Sequence, residues 1–319
     1  MEHLIEIKDL WAEFHTERAV TKALNGVNLT IDSGESLGLV GESGAGKTTT
    51  ALSLLQMLPK PAGRFMGGDI LYKGKSLMNY SERQMTDIRG NKISMIFQNP
   101  LTSLNPVFSV GEQIAMVLRR HREMNRKEAA DEAKRLLEMV SIPGERLNDY
   151  PVQFSGGMRQ RVGIAAGLAC NTELLIADEP TTALDVTIQA QVLMLLKDLQ
   201  VKQNTALLMI THNLGIVSEL CEHVAVMYGG QIIERGTVKE VFAHPAHPYT
   251  IGLLGSLPSL SGPRNELYSI PGTVANPQNL PTGCYFHPRC EHCRGVCREQ
   301  QPEMVKISEN HYAACFNRG

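Results

Sequence analysis

Gly41-Glu42-Ser43-Gly44-Ala45-Gly46-Lys47-Thr48 is the stretch on which the reading of this chain turns. Its glycines let backbone N–H groups curl around phosphate oxygens, and the helix that follows presents its positive N-terminus. Lys47 neutralises the terminal phosphates, and Thr48, with Thr49 beside it, is placed to hold a divalent cation on them. Such a loop needs a strand before it and a helix after it. Ser36-Leu37-Gly38-Leu39-Val40 is a short apolar strand feeding straight into the loop, and Thr48 to Met57 has helical spacing,.

Working outward, residues 4–14 and Val27-Asn28-Leu29-Thr30-Ile31 alternate apolar with polar side chains, which predicts half-buried antiparallel sheet,. Two all-apolar runs, Leu174 to Ala177 and Ala206 to Ile210, flank a helical pattern around 186–201 and predict strands of a parallel sheet covered on both faces,. Arg126 to Val140 is rich in Ala, Glu, Lys, Arg and Leu and predicts a solvent-facing helix ended by Pro143-Gly144, whereas 100–125 reads as less regular,. Val224 to Tyr228 and Gln231 to Glu234, joined by Gly229-Gly230, predict a hairpin,. After about residue 240, His-Pro, Leu-Pro-Ser and Pro-Gly punctuation marks a smaller unit,.

Further residues fit a phosphoryl-transfer site. The run ending at Ala177 delivers Asp178 and Glu179 to a strand tip, the first suited to Mg2+ and the second to polarising an attacking water,. Gln98 ends the strand Ile93 to Phe97, where it could sense the terminal phosphate or its Mg2+; His212 follows the strand 206–210, where a neutral imidazole could hydrogen-bond that phosphate,. Ser155-Gly156-Gly157 caps a helix beginning near Met158 and forms a second anion-binding helix terminus,. One fold rarely aims two such sites at one phosphate. The second is therefore expected to serve the nucleotide of another subunit.

In this order and over about 200 residues, the motifs resemble those of the ATP-binding subunits of ABC transporters,. Walker A is residues 41–48, the Q-loop Gln98, the signature 154–158, Walker B Leu174 to Glu179, the D-loop Ala183-Leu184-Asp185, and the switch histidine His212. The signature reads Phe-Ser-Gly-Gly-Met where the commonest form has Leu first and Gln last. The resemblance implies an α/β P-loop ATPase core, a mixed sheet with an antiparallel β subdomain, and a helical subdomain at about 100–170. It also implies that two subunits close on two ATP molecules, with Asp185 among the nucleotide-binding residues, and drive a membrane permease. An aromatic residue is expected on the adenine ring; Phe14 is the first candidate and Trp11 the second.

The strings at 97–106, 177–191, His-Pro-Tyr-Thr (247–250) and Leu-Pro-Thr-Gly-Cys-Tyr-Phe-His-Pro-Arg-Cys (280–290) are similar to those of the peptide and nickel importer group, specifically the first of its two ATPase subunits. That narrower resemblance implies a nucleotide-binding domain over 1–240 and a C-terminal extension over 241–319. It implies a second, different ATPase subunit, two permeases and an extracytoplasmic peptide-binding protein, with nickel a less expected cargo.

Five of the seven cysteines crowd in from Cys284 onward. Four thiolates, Cys284, Cys290, Cys297 and Cys315, could hold zinc or a [4Fe–4S] cluster, and spacing alone does not choose. In related subunits with a similar tail the matching four go with a [4Fe–4S] cluster, while Cys293 makes a Cys-x2-Cys pair with Cys290 that keeps zinc open. A metal or redox protein whose ATPase is secondary is the rival that the tail alone would motivate.

Composition bounds the alternatives. With 319 residues, 43% hydrophobic and 20% charged, the chain suits one large core with a small appendage, and its net charge of −2 leaves no electrostatic footprint for nucleic acid,. A soluble ABC ATPase acting on nucleic acid or the ribosome is the other rival. The long coiled coils of its repair members do not fit between residues 48 and 154 at about 1.5 Å per residue alongside the sheet. No basic-then-apolar leader and no apolar run of about eighteen residues is present, so the chain is expected on the cytoplasmic face of the membrane, peripherally bound,.

Overall fold

The structure, a computed structural model, describes residues 3–98, 103–182, 184–256 and 269–317. Pro100, the Leu-Pro-Ser punctuation at 257–259 and Ala183 of the D-loop lie outside the described residues. The strands, in chain order, are β1 (Ile5–His15), β2 (Val20–Ile31), β3 (Ser36–Val40), β4 (Gly63–Tyr72), β5 (Lys75–Ser76), β6 (Ile93–Ile96), β7 (Leu174–Asp178), β8 (Ala206–Ile210), β9 (His223–Tyr228), β10 (Gln231–Thr237), β11 (Val305–Ser308) and β12 (His311–Ala313). The helices are α1 (Lys47–Leu54), α2 (Glu82–Ile88), α3 (Val110–His121), α4 (Arg126–Met139), α5 (Gly156–Gly167), α6 (Val186–Gln203), α7 (Leu214–Leu220), α8 (Val238–Ala243), α9 (Pro248–Gly255) and α10 (Gly295–Glu299). Among the described residues no helix is long and apolar enough to cross a membrane.

The chain forms two compact units. The first comprises Met1–Asp32, Leu37–Met78 and Ile210–Gly319. It contains the expected antiparallel sheet in the order β2-β1-β4-β5. In β1, Ile5 and Ile7 are buried on one phase and Leu10 and Ala12 on the other. The switch is a β-bulge between Ile7 and Leu10, where Asp9 adopts φ 44°,. Further strands run in the order β11-β12-β10-β9-β3, with β9 parallel to β3 and antiparallel to β10. The β9–β10 turn uses Gly229 and Gly230 at φ 56° and 78°, the left-handed pair that a two-residue hairpin of this twist demands,.

The C-terminal extension belongs to this same unit and adds β12 and β11 beyond β10. A buried carboxylate fastens it. Glu234 of β10, fully excluded from solvent, accepts hydrogen bonds from the Ala246 N–H at 2.7 Å and the His247 N–H at 2.9 Å, and pairs with His311 Nε2 of β12 at 2.7 Å. His247 in turn caps α9, its Nδ1 accepting from the Tyr249 N–H at 3.0 Å. Burial holds that imidazole well below its ordinary value, at about 3, so it stays a neutral acceptor,.

The second unit comprises Ser33–Ser36 and Asn79–Met209. Its strands β8, β7 and β6 are apolar and buried throughout, as expected of a doubly covered sheet, with β6 parallel to β7,. The helix predicted at 126–140 is α4, closed at its start by a capping box in which Asn125 accepts from the Lys127 and Glu128 N–H groups and Glu128 returns to the Asn125 N–H,. The irregular reading of 100–125 needs correction, because Val110–His121 is a twelve-residue helix. Ser109 caps it by accepting from the Glu112 N–H, and Ile114, Ala115 and Leu118 bury one face,.

Removing the Glu234 carboxylate leaves two buried N–H groups and His311 without their acceptor. Glu234→Ala is expected to cost about 3–5 kcal/mol of stability, read from the midpoint of urea unfolding. A loss below about 1 kcal/mol would show that the extension is held by other means.

Candidate functional site

The first unit presents the loop at 41–48 between β3 and α1. Gly41 has φ +151° and lies so close to β9 that a Cβ there would stand 2.2 Å from the Met227 carbonyl oxygen. Gly46, at φ +107°, would meet the Ala23 carbonyl oxygen at 2.8 Å. Gly46 stands at the N-cap of α1 and makes no side-chain cap hydrogen bond,. The Lys47 ammonium group curls back over the loop and donates to the Gly41 carbonyl at 2.8 Å and the Glu42 carbonyl at 3.0 Å. Ser43, Gly44 and Thr48 are exposed, Thr49 is half-buried, and Ala45 is buried, its carbonyl accepting from the Gly230 N–H.

Other predicted residues of this unit stand at its surface. His212 is exposed on the turn after β8, just before Asn213, which caps α7 by accepting from the Gly215 N–H. Phe14 is half-buried on β1 opposite Gly63, whose added Cβ would touch its ring at 3.3 Å. Trp11 is 38% exposed, and its indole N–H donates to Asp9 Oδ1 at 2.9 Å. Neither aromatic is a core residue.

The second unit carries the acidic strand tip. Asp178 ends β7 and is only 2% exposed, whereas Glu179 turns out of the strand with φ 45°, a left-handed conformation that is strained for a non-glycine residue,. Its Oε2 accepts from Gln98 Nε2 at 2.8 Å and from Thr182 Oγ1 at 2.9 Å. Two candidates 81 positions apart are thus in direct contact. Thr182 was not singled out by the sequence, although it sits one turn beyond the acidic pair.

The Ser155 helix start is also as expected. Ser155 caps α5 by accepting from the Met158 N–H, and both Ser155 and Gly156 are exposed, with nothing within 4 Å of where a Gly156 side chain would begin. Phe154 is buried beneath the Arg146 guanidinium, 4.2 Å from its ring centroid,. Asp185 spends a carboxylate oxygen on capping α6, accepting from the Ile188 N–H at 3.0 Å.

The cysteine tail departs from expectation. Among the described residues no group of three or more His, Cys, Asp or Glu side chains is placed to hold a metal ion. Burial pushes the Cys284 thiol up to about 11, and the neighbouring Cys297, Cys315 and Cys290 add to the rise. Burial likewise raises Cys290 and Cys315, with smaller contributions from other thiols of the set. Cys170 and Cys221 are core thiols, and burial drives Cys221 up to about 12,. Mg2+ makes a lighter demand than zinc: it keeps water and phosphate ligands and needs one or two protein oxygens, for which Asp178, Gln98 and Thr48 supply suitable chemistry.

Comparison with known proteins follows the same lines. A profile of the ABC transporter family matches residues 24–182, and one of the oligopeptide/dipeptide transporter C-terminal region matches 233–297. A probable peptide ABC transporter ATP-binding protein of Sinorhizobium fredii is 51% identical over 98% of this chain and 94% of its own length. The oligopeptide transport ATP-binding protein OppD is 51% identical in Bacillus subtilis, over 97% of this chain and 87% of that protein. In Salmonella typhimurium OppD is 47% identical, over 98% and 93%. Among solved structures, a dimeric post-hydrolysis state of an ATP-binding cassette bound to ADP and Pi superposes with a TM-score of 0.67 at 26% identity, covering 73% of this chain and 98% of that one. A component of an ABC transporter complex from Clostridium perfringens gives 0.63 at 26%, covering 76% and 92%.

Gly41→Ala drives a methyl group into the Met227 carbonyl and forces the loop to shift. Nucleotide affinity is expected to fall by about tenfold or more, given the 1–3 kcal/mol such strain costs. Titration with a fluorescent ATP analogue checks this, and wild-type affinity would mean that the close approach at Gly41 does not set the loop's shape.

Proposed function

Because the chain belongs to the ATP-binding subunits of the ABC transporter family, of the oligopeptide/dipeptide kind, we propose that it hydrolyses ATP to drive peptide import through membrane permeases. The observation that carries this reading is the near full-length match to peptide-transport ATPases, together with a phosphate loop whose shape only glycine permits at 41 and 46. The partners are a second ATPase subunit, two permeases and, indirectly, an extracytoplasmic peptide-binding protein. The subunit works at the cytoplasmic face of the membrane without spanning it.

In this reading the loop N–H groups and Lys47 hold the phosphates of the subunit's own ATP, and Phe14 stacks on adenine. Thr48, Gln98 and Asp178 are the ligands of Mg2+, which supplies charge neutralisation on the phosphates. Glu179 polarises the attacking water; its hydrogen bonds from Gln98 and Thr182 orient the carboxylate before nucleotide arrives,. His212 accepts the role of terminal-phosphate sensor. Ser155, Gly156 and Gly157 face the ATP of the partner subunit, a role supported by the exposure of Ser155 and Gly156 at the start of α5, and Asp185 organises the neighbouring loop by capping α6,. Closure of two such subunits on two ATP molecules and reopening after hydrolysis would switch the permeases between their two faces.

A [4Fe–4S] cluster on Cys284, Cys290, Cys297 and Cys315 is a separate part of this proposal. It rests on donor chemistry: Cys284, Cys290, Cys297 and Cys315 are four soft thiols of one short tail, the donor type such a cluster takes,. Such a cluster would pin the extension covalently. Anaerobic purification followed by iron, sulfide and zinc analysis tests it, and neither iron nor sulfide above background would remove it.

Glu179→Gln is expected to retain ATP binding, trap a closed dimer and lower turnover by about 10²–10⁴-fold. Normal hydrolysis in that variant would sink the general-base assignment. Ser155→Arg should disable the ATP bound by the partner subunit while nucleotide binding at Lys47 persists. Equal loss at both sites, measured by nucleotide occupancy of the assembled pair, would argue against a shared interface.

A further inference from the structure

Glu42 is an awkward residue for its position. It is the second residue of the phosphate loop, and a carboxylate there stands beside bound triphosphate, where like charges repel. The structure surrounds it with groups from the C-terminal extension. Arg289 grips the carboxylate with both arms of its guanidinium, one nitrogen donating to Oε2 at 2.7 Å and the other to Oε1 at 3.1 Å. The two residues are 247 positions apart. The Arg289 side chain is 4% exposed, and its remaining edge is fixed by donation from Nε to the Pro271 carbonyl at 2.9 Å. A planar fork held on both edges cannot swing away as a surface lysine would.

The backbone of Glu42 is fastened too. Its N–H donates to the Tyr249 hydroxyl at 2.7 Å, while its carbonyl accepts from Lys47 Nζ and from the Ala45 N–H at 3.2 Å. Tyr249, at the start of α9, is fully buried, with Tyr228 of β9 and Phe286 of the tail packed against it at ring-centroid distances of 4.7 and 5.4 Å. The same two rings flank the Arg289 guanidinium at 5.9 and 5.8 Å. Side chain, N–H and carbonyl of one loop residue are thus all held, and the side chain and N–H are held by residues that lie outside every nucleotide motif.

We propose that Arg289, with Tyr249, is a positioning residue for ATP: the C-terminal extension neutralises Glu42 and holds the first turn of the phosphate loop in the shape that receives the triphosphate. Two consequences separate this from mere stabilisation of the fold. Loss of Arg289 leaves a carboxylate uncompensated beside the phosphates, so affinity drops even in folded protein. Removing the Glu42 charge in the same chain then restores much of what was lost.

The test is equilibrium titration of the full-length chain with a fluorescent ATP analogue, alongside thermal melting. Arg289→Ala is expected to weaken binding by about tenfold or more, the worth of a charged hydrogen-bonded pair, and Arg289→Ala with Glu42→Gln to recover to within about threefold of wild type. Wild-type affinity in Arg289→Ala, or a double variant no better than the single one, overturns the proposal. Should Arg289→Ala fail to fold, Arg289→Lys and Tyr249→Phe carry the test, each expected to weaken binding about threefold or more; wild-type affinity in both overturns it. The inference rests on nucleotide binding at residues 41–48, and wild-type protein that bound no ATP would refute that reading rather than the clamp.

Discussion

The close approach of the phosphate loop to its neighbours is the constraint on which the rest of the first unit depends. At Gly41 the backbone passes so near the Met227 carbonyl that no side chain fits, and at Gly46 it does the same against Ala23. The loop is therefore shaped by β2 and β9 as well as by its own sequence. Gly46, which has no side chain to spend on a cap, stands at the start of α1,. A looser loop would have more conformations and would lose binding free energy in selecting one of them.

A second layer of order comes from the end of the chain. Glu234 gathers β10, β12 and the start of α9 around one buried carboxylate, and the capped α9 carries Tyr249 to the loop. Arg289 approaches from the tail and reaches the same loop residue. What the composition suggests is an appendage is, by its hydrogen bonds, part of the frame that holds the phosphate loop. Buried ionic groups of this kind cost desolvation, and they persist where every donor and acceptor is satisfied by a defined partner.

The acidic strand tip of the second unit follows a different logic. β7 is apolar to its last residue and leaves Asp178 buried, while the left-handed turn at Glu179 aims its carboxylate toward Gln98 and Thr182. Strain at a non-glycine residue survives only where surrounding hydrogen bonds outweigh it, and here two side chains do so. Glu179 is thereby held in one orientation by two neutral donors.

Much of this was legible in the sequence. Local patterns specify local structure, so the apolar run at 36–40, the alternation from residue 4, the Gly229-Gly230 hairpin and the helix from Arg126 all appear where the residues place them. The phosphate loop, the acidic tip and the Ser155 cap were legible for the same reason, since each is a short motif whose chemistry needs adjacent residues. The helix at 110–121 was hidden by the prolines before it, although Ser109 and the spacing of Ile114 and Leu118 carried its signal. By itself, then, the sequence determined the strand, glycine loop and helix of the P-loop architecture and the placement of its motif residues at the ends of strands and helices. Only the tertiary structure decided that Gln98 and Thr182 share one oxygen of Glu179, that the Cys tail forms no site for a single metal ion among the described residues, and that Arg289 and Tyr249 secure Glu42. The pairings made by Gln98, Tyr249 and Arg289 join residues from 81 to 247 positions apart, and no local spacing encodes them; they exist because folding buries groups whose charge or hydrogen bonds must then be met by whatever the fold brings alongside,.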